Sequence, residues 1–472
     1  MIAGHRRSPF RAGTVTREQA RRPVSHARLA HRAGRSAQRI VGADVRPGEW
    51  RLVLLFFANL FLLLSAYYIL KVIREPLILL AGGAIRRSYA RGVQAGLLAL
   101  VIPVYGVLAN RFEPARLVNW IMWSFVVCLG AFFLLGRFQV PVGFAFFVWL
   151  GIFSTLSVAQ FWSLAADVMT DDEGHRLFPM IAAGGALGGI GGAQFAARAG
   201  VWLGPTDMML VAAILLAGCA LLTHAIHAVA ATHRQAAAPL RVEARDPRGG
   251  FTLILRDRYL MLIAVSVLLL NLINTTGDYI LAELVNGQSQ RMPLAGRAQF
   301  ISAFYGNLQT WVSVLTALAQ TFVVSRVFAA LGVGRALFFL PLVAVTGYGA
   351  SAFMPVLALV AAVKVLENST DYSLQNTVQQ SLFLLTSRDA KYKAKSAVDT
   401  MSVRLGDLAS TGLVYFGARA GLSTFGFAMV NVTAGVVLLW TATRLRRRRD
   451  ALAGTTPGPV TAAPATPVPR AR

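Results

Sequence analysis

Predominantly apolar stretches of about twenty residues recur along almost the whole chain, and that is the length an α-helix needs to cross roughly 30 Å of hydrocarbon. Such runs lie near residues 51–72, 92–110, 117–136, 142–166, 177–199, 207–230, 259–283, 298–325, 335–354, 355–384, 396–419 and 423–443, which predicts twelve transmembrane helices. The ninth and tenth are separated only by a proline-marked turn at Phe353-Met354-Pro355. Composition agrees: 56% of the 472 residues are hydrophobic and 14% charged, more apolar surface than one soluble core of ordinary shape would cover. The expected class is an all-α membrane protein.

An even number of spans puts both ends of the chain on one side of the membrane, and both ends are basic. Residues 1–50 hold eleven arginines against Glu18, Asp44 and Glu49, and the stretch from Arg444 holds seven arginines against Asp450. Cytoplasmic loops attract Lys and Arg, so both tails are expected in the cytoplasm and the protein in a bacterial inner membrane. The first long apolar run starts only at Trp50, too far in to be the core of a cleavable leader. The longest internal loop, 231–258, carries Arg234, Arg241, Arg245, Arg248, Arg256 and Arg258 and suits the same side. The predicted organisation is a disordered basic tail (1–49), a six-helix bundle (50–230), a cytoplasmic linker (231–258), a second six-helix bundle (259–443), and a basic then Pro/Ala-rich tail (444–472). The tails suit contact with anionic lipid, and nucleic-acid binding is not expected. Cys128 and Cys219 both fall in apolar spans, so neither a disulfide framework nor a metal site is implied.

Several charges lie where lipid-facing helices would not carry them. The hairpin predicted between the first two helices holds Lys71, Arg74, Arg86, Arg87 and Arg91 against the one acid Glu75, on the side that should be poor in cations. Tyr67, Lys71 and Arg74, at i, i+4 and i+7, share one helix face, which suits a polyanion path; snorkelling of the cations to outer headgroups would explain them equally. On the tenth helix Lys364, Glu367, Asp371, Gln375 and Gln379 form one polar stripe. Ionisable residues inside spans cost about 2.5–3.5 kcal/mol each on insertion scales, so they face a cavity or one another. Asn271, Asn274, Thr275 and Asp278 on the seventh helix, and Thr400, Arg404, Asp407 and Thr411 on the eleventh, invite the same reading. A purely structural alternative pairs Lys364 with Asp371 and Arg404 with Asp407.

The fifth helix shows Gly184-Gly185, Gly188-Gly189 and Gly191-Gly192, a surface for close helix packing. No strand-to-helix turn or Lys-Ser/Thr follows it, so it is not a nucleotide-hydrolysing phosphate loop. No Ser-His-Asp or metal-ligand constellation stands out, His175 reads as an ordinary loop residue, and neither an enzyme nor a resident cofactor is expected.

Gly106-Val-Leu-Ala-Asn110-Arg111-Phe-Glu-Pro-Ala-Arg116, after the second helix, resembles the basic loop of the major facilitator superfamily, with Asn110 in place of the usual acid; Ser325-Arg326 through Gly332-Val-Gly-Arg335 repeats a basic turn after the eighth. In that fold two bundles rock about a central site. Phe161-Trp162 through Asp167 and His175-Arg176-Leu-Phe178-Pro179 resemble the nucleotide transporter family of bacterial and plastid ATP/ADP translocases. So do Lys393-Ala-Lys395-Ser-Ala-Val-Asp399 through Arg404-Leu-Gly406 and, with the cations swapped and Glu for Asp, Lys71-Val-Ile-Arg74-Glu75. The resemblance spreads over the whole membrane part. It implies exchange of nucleoside tri- and diphosphates, with Lys71, Arg74 and Arg404 as phosphate contacts and Lys393 and Lys395 near the cytoplasmic mouth. The chemistry is compatible, because guanidinium forks match phosphate and a polyanion needs several cations to offset its lost hydration.

The resulting expectation is a secondary transporter of an anionic metabolite, a nucleotide first, working by alternating access without ATP hydrolysis. Lys71, Arg74, Lys364, Arg404, Trp162 and Tyr67 would bind substrate. Glu75, Asp167, Asp278, Glu367, Asp371 and Asp407 would hold those cations when the site is empty or carry a coupling proton. All are expected to converge from both bundles on a shared aqueous chamber. The alternatives are a proton-coupled facilitator for another solute, in which the carboxylates touch substrate, and a non-transporting membrane scaffold.

Overall fold

A computed structural model describes residues 45–46, 48–112, 114–233, 248–386 and 394–455, all of them helix, turn or short connection, with no strand among them. The first helical run, Trp50–Arg111, is 62 residues long, about three times what a bilayer spans. It is two helices. At Gly82 and Gly83 the backbone leaves the helical region, Gly83 with φ +67°, a left-handed conformation that glycine adopts without a Cβ clash. The chain reverses there, because Arg87 reaches the carboxylate of Glu75 at 2.6 Å although 12 residues of straight helix would hold them about 18 Å apart. We label the two helices α1 (residues 50–81) and α2 (84–111).

Then follow α3 (Pro114–Arg137), α4 (Gly143–Val168), α5 (Asp171–Ala199) and α6 (Pro205–His233). A short amphipathic helix, Arg248–Arg256, leads into α7 (Arg258–Gln290). Gly332, with φ +72°, ends α8 (residues 294–331) and starts the approach to α9 (Phe339–Phe353). α10 (residues 357–385), α11 (395–419) and α12 (Thr424–Thr455) complete twelve long helices among the described residues. The molecule is an all-α integral membrane protein. α10 and α11 are absent from the eight runs that length and hydropathy alone would send through a membrane, since they carry the densest polar stripes.

Three expectations need correction. The cations assigned to an outer hairpin are not in a loop: α1 runs nine residues past the expected end at 72, the turn is only Gly82-Gly83, and Arg74 and Arg87 are buried at 8% and 5% exposure. Among the five, Arg86 is the exposed one that snorkelling describes. The basic stretch from Arg444 is not tail from its first residue, because α12 continues through Thr455 and keeps Arg444 and Arg446 to Arg449 helical. Lys364 pairs with Asp278 and Glu367 and not with Asp371. Residues 1–44 and 47 of the basic N-terminal tail, residues 456–472 of the Pro/Ala-rich tail, Arg234, Arg241, Arg245, Lys391 and Lys393 lie outside the described residues, as do the side chains of Asn110 and His175.

α1 is the spine of the first half. Gly184, Gly188 and Gly192 of α5 lie flat on it, so that a Cβ on each would run into the carbonyl oxygens of Phe57, Phe61 and Ser65 in turn. The matching four-residue steps show that α1 and α5 run parallel. On the other side Asn59 donates to the Cys219 carbonyl (2.9 Å) and to Thr223 (3.0 Å) of α6. In the second half Gly406 of α11 sits on Leu268 and Asn271 of α7, and Gly435 of α12 on Val345 of α9.

The halves meet along two seams. Gly306 of α8 lies against Ala193 and Ala197 of α5, where Gln194 donates to Thr310 at 2.9 Å. Gly92 of α2 faces Thr411 of α11, whose hydroxyl donates to the Ser88 carbonyl at 3.2 Å. Gly83 also lies beside Asn286 of α7. These contacts all belong to the part of the molecule that holds the α1/α2 turn. Beyond Gly96, towards the termini, α2 instead carries the exposed Leu97, Leu100, Val104, Val107 and Leu108.

Candidate functional site

The turn at Gly82-Gly83 lays the start of α2 beside the end of α1 and so brings three arginines to one place. Arg74 Nε donates to Glu75 Oε1 at 2.9 Å, with its guanidinium 4.4 Å from the centre of the Phe147 ring. Arg87 binds both oxygens of Glu75, at 2.6 and 3.2 Å. One turn on, at i+4 and on the same face, Arg91 reaches across to the second half, 3.1 Å from Asp278 of α7 and 3.1 Å from the Thr275 hydroxyl. Arg87 lies 3.7 Å from the same Asp278.

Asp278 joins these cations to α10. Its other oxygen is 3.1 Å from Lys364 Nζ, which also donates to Glu367 (3.0 Å) and to the Asn274 carbonyl (3.0 Å). Lys364 thus has three acceptors at 0% exposure, which is what keeps an ammonium tolerable in a membrane interior. The Tyr348 hydroxyl of α9 donates to Glu367 at 2.5 Å. Thr275, accepting from Arg91, donates in turn to Asp407 of α11 at 2.9 Å; Asp407 also accepts from Asn271 (3.0 Å) and lies 3.6 Å from Arg404. Arg74, Lys364 and Arg404 therefore belong to one connected network drawn from α1, α2, α7, α9, α10 and α11, and it crosses between the halves.

The network is closed on itself. At its level the expected aqueous chamber is filled by the charged side chains: Arg74, Glu75, Arg87, Lys364, Glu367 and Asp407 are each under 9% exposed. A small cavity of about 150 Å³ opens beside it, between Val267, Leu270, Asn271 and Asn274 of α7, Asp371 and Gln379 of α10, and Asp399 and Val403 of α11. Asp371 faces this cavity. Seven residues from Lys364 it sits about 10 Å further along the helix, and at Asp371–Gln375 the backbone widens into a π-turn. A second π-turn, Val398–Ser402, holds Asp399, which accepts from Gln379 at 3.0 Å. Such turns inside helices are frequent at functional sites.

Lys71 stands apart from the carboxylates. It donates to Gln309 of α8 at 2.8 Å and lies 6.0 and 5.3 Å from the ring centres of Tyr67 and Tyr68. Tyr67 itself packs on Tyr68 and Phe153. Trp162 is not brought to this group. It makes edge contacts with Phe161 and Phe178, and Phe161 in turn meets Phe56, which is 15 residues, or about 22 Å of helix, from Lys71. Asp167 lies in the last turn of α4, still nearer the terminus side. Arg176 closes that side of the first half: it binds Glu49 at 2.8 Å and Asp172 at 3.3 Å, and Arg46 also reaches Asp172 at 3.3 Å. The hydrogen bonds from Arg176 hold the Glu49 carboxyl below its ordinary range.

Sequence reasoning undervalued Arg87 and Arg91, whose i, i+4 spacing marks one face once they are read as helix, and it missed Gln309 and Tyr348 altogether. No group of histidine, cysteine and carboxylate side chains that could hold a metal occurs among the described residues.

No protein-family model matches the chain, and no curated protein sequence does. Solved structures with the same fold do. A bacterial homologue of the iron transporter ferroportin in an inward-facing state superposes with a TM-score of 0.62 at 12% identity, covering 84% of this chain and 99% of that one. The POT family transporter PepTSo gives 0.60 at 14% identity, covering 86% and 99%. The nucleoside transporter NupG gives 0.55 at 13% identity, covering 87% and 100%.

Proposed function

We propose that the chain is a secondary transporter that moves a small anionic metabolite, with nucleotides as the leading candidates, by alternating access. The observation that carries this reading is the buried network itself. Its ion pairs cross between the halves at Arg87–Asp278 and Arg91–Asp278 and lie in the same part of the molecule as the seam contacts. It is a latch on the side away from the termini. If the termini are cytoplasmic, as positive-inside bias favours, the latch closes the outer side. Two of the related structures were solved inward-facing, the ferroportin homologue and a bacterial homologue of the lysosomal transporter Spinster.

Anionic substrate fits the charge balance. Among the described residues, Lys71 and Arg74, one turn apart on α1, have between them the single carboxylate contact from Arg74 to Glu75. A phosphate arriving from the terminus side would compete with Glu75 for Arg74 and engage Lys71. Freed from Arg74, Glu75 holds Arg87 alone, and the pairs to Asp278 can rearrange. A ligand can drive such a change only by binding the opened state more tightly, and a group with three or four charges has the interaction energy to do so. Tyr67 and Tyr68 would offer ring faces to a base. The likeness to ATP/ADP translocases at Lys71 to Glu75 and at Lys393 to Gly406 supports nucleotides over other anions.

A second reading rests on the side cavity, whose lining pairs Asp371 and Asp399 with amides and no lysine or arginine. Carboxylates so placed suit a proton-coupled facilitator. Proteoliposomes separate the two: labelled ATP taken up against internal ADP without a pH gradient supports nucleotide exchange, and uptake that needs an imposed proton gradient supports coupling through the carboxylates.

A further inference from the structure

Tyr305 of α8 is 5% exposed, and its hydroxyl has no hydrogen-bond partner among the described residues. It stands one turn before Gln309, the acceptor of the Lys71 ammonium, and so on the face of α8 that meets α1. Buried hydroxyls are nearly always bonded, so an orphan donor on the face that meets Lys71, beside a network whose acids Glu75 and Asp278 are already engaged, points to an acceptor that comes and goes. Both oxygens of Glu75 are taken by arginines, and those of Asp278 by Arg91 and Lys364. The surrounding charge says what the acceptor is. Among the described residues, Arg74, Arg87, Arg91 and Lys364 are joined to three carboxylates, Glu75, Asp278 and Glu367, and Lys71 adds a further cation. The cluster is short of negative charge in a setting where unpaired charge is costly.

The position of Tyr305 supplies the geometry. Gln309 stands one turn further along α8 and takes the Lys71 ammonium; Lys71 and Arg74 stand one turn apart on α1. Two helix faces from opposite halves are thus in register, cations on one and neutral polar groups on the other. We propose that Tyr305 is a specificity-determining residue of the transport site, donating its hydroxyl hydrogen bond to a phosphate oxygen of the substrate held by Lys71 and Arg74. The inference rests on the anion-transport reading and adds the contribution of the second half to it.

The test is Tyr305→Phe, which removes one oxygen and leaves the ring packing in place. In proteoliposomes the KM for ATP and for ADP should rise about 10- to 100-fold, the range for a hydrogen bond to a charged group, with the maximal exchange rate within about twofold. Pyrophosphate should lose potency as a competitor by the same factor, while competition by adenosine stays as in the wild type. An unchanged KM, or an equal loss for adenosine, overturns the proposal. If the wild type exchanges no nucleotide, it is the nucleotide reading that fails, and thermal unfolding in detergent with pyrophosphate then judges the site: stabilisation of the wild type but not of Tyr305→Phe supports it, whereas equal stabilisation of both, or none of either, rejects it.

Discussion

The carboxylate of Asp278 on α7 lies 3.1 Å from the Arg91 guanidinium on α2, and this ion pair, with the longer one from Arg87, ties the first half of the molecule to the second at the centre of a buried network. Its other oxygen holds Lys364. Removing Asp278 therefore strands cations on both sides of the seam.

Asp278→Asn should be among the most destabilising single substitutions in the second half. Breaking one partner of a buried ionic cluster costs on the order of 3–5 kcal/mol, and thermal unfolding in detergent should show it. The double variant Asp278→Asn with Lys364→Met should lose less than the sum of the two single variants, because each removes the other's unpaired charge. Additive losses would mean the two are not coupled.

The glycine face of α5 makes a sharper packing prediction. Gly188→Ala puts a methyl group into the Phe61 carbonyl of α1 and should cost about 1–3 kcal/mol. Gly191, on the same helix, has open space where a side chain would start, with nothing within 4 Å, so Gly191→Ala should be neutral or slightly stabilising. Equal effects of the two on the unfolding temperature would contradict the α1–α5 contact.

The pair of Glu49 and Arg176 predicts a pH dependence. The carboxyl of Glu49 is held below its ordinary value of 4.5, chiefly by hydrogen bonding to Arg176. A depressed folded-state value means the stabilisation is fully present above the unfolded value and is lost as pH falls through the folded one. As pH falls from above 4.5 to well below it, the wild type should thus lose its stability advantage over Glu49→Gln. A constant gap between the two melting curves across that range would show that the pair contributes nothing through ionisation.

Lys71 predicts a selective kinetic effect. Lys71→Gln should raise the KM for ATP by about 10-fold or more, since it removes a charged donor to the substrate, and should leave binding of an uncharged nucleoside unaltered. A pure loss of maximal rate at constant KM would instead place Lys71 in the moving parts and outside the binding site.

Much of this architecture is legible in the residues. Run length, basic tails and paired apolar spans lead to twelve helices, and the polar stripes of α7, α10 and α11 stand out because an ionisable residue in an apolar segment is too costly to face lipid. The α1/α2 turn does not, since the charges around it pull the hydropathy down and suggest a long hairpin loop; only Gly82-Gly83 marks the real turn, and double glycines recur elsewhere in the chain. Helix periodicity puts Glu367 and Asp371 on the face of Lys364, but seven residues of helix carry Asp371 about 10 Å along the axis, and Asp278 from another helix takes the place expected for it. Tyr305 and Gln309 are hidden in the sequence, because an isolated Tyr or Gln in a span gains meaning only when a facing helix brings a cation to it.

If the chain works as proposed, the network side of the molecule is a gate which must open during transport. Cys128 and Cys219 are the only cysteines, so a cysteine-free background is readily made. In it, Ser88→Cys on α2 and Thr411→Cys on α11 replace a pair now joined by a 3.2 Å hydrogen bond across the seam. Oxidation of reconstituted protein should form the cross-link readily and stop ATP/ADP exchange, reduction should restore it, and ATP should slow cross-linking by favouring the open gate. Exchange that continues at the uncross-linked rate with the disulfide fully formed would contradict a gate on this side.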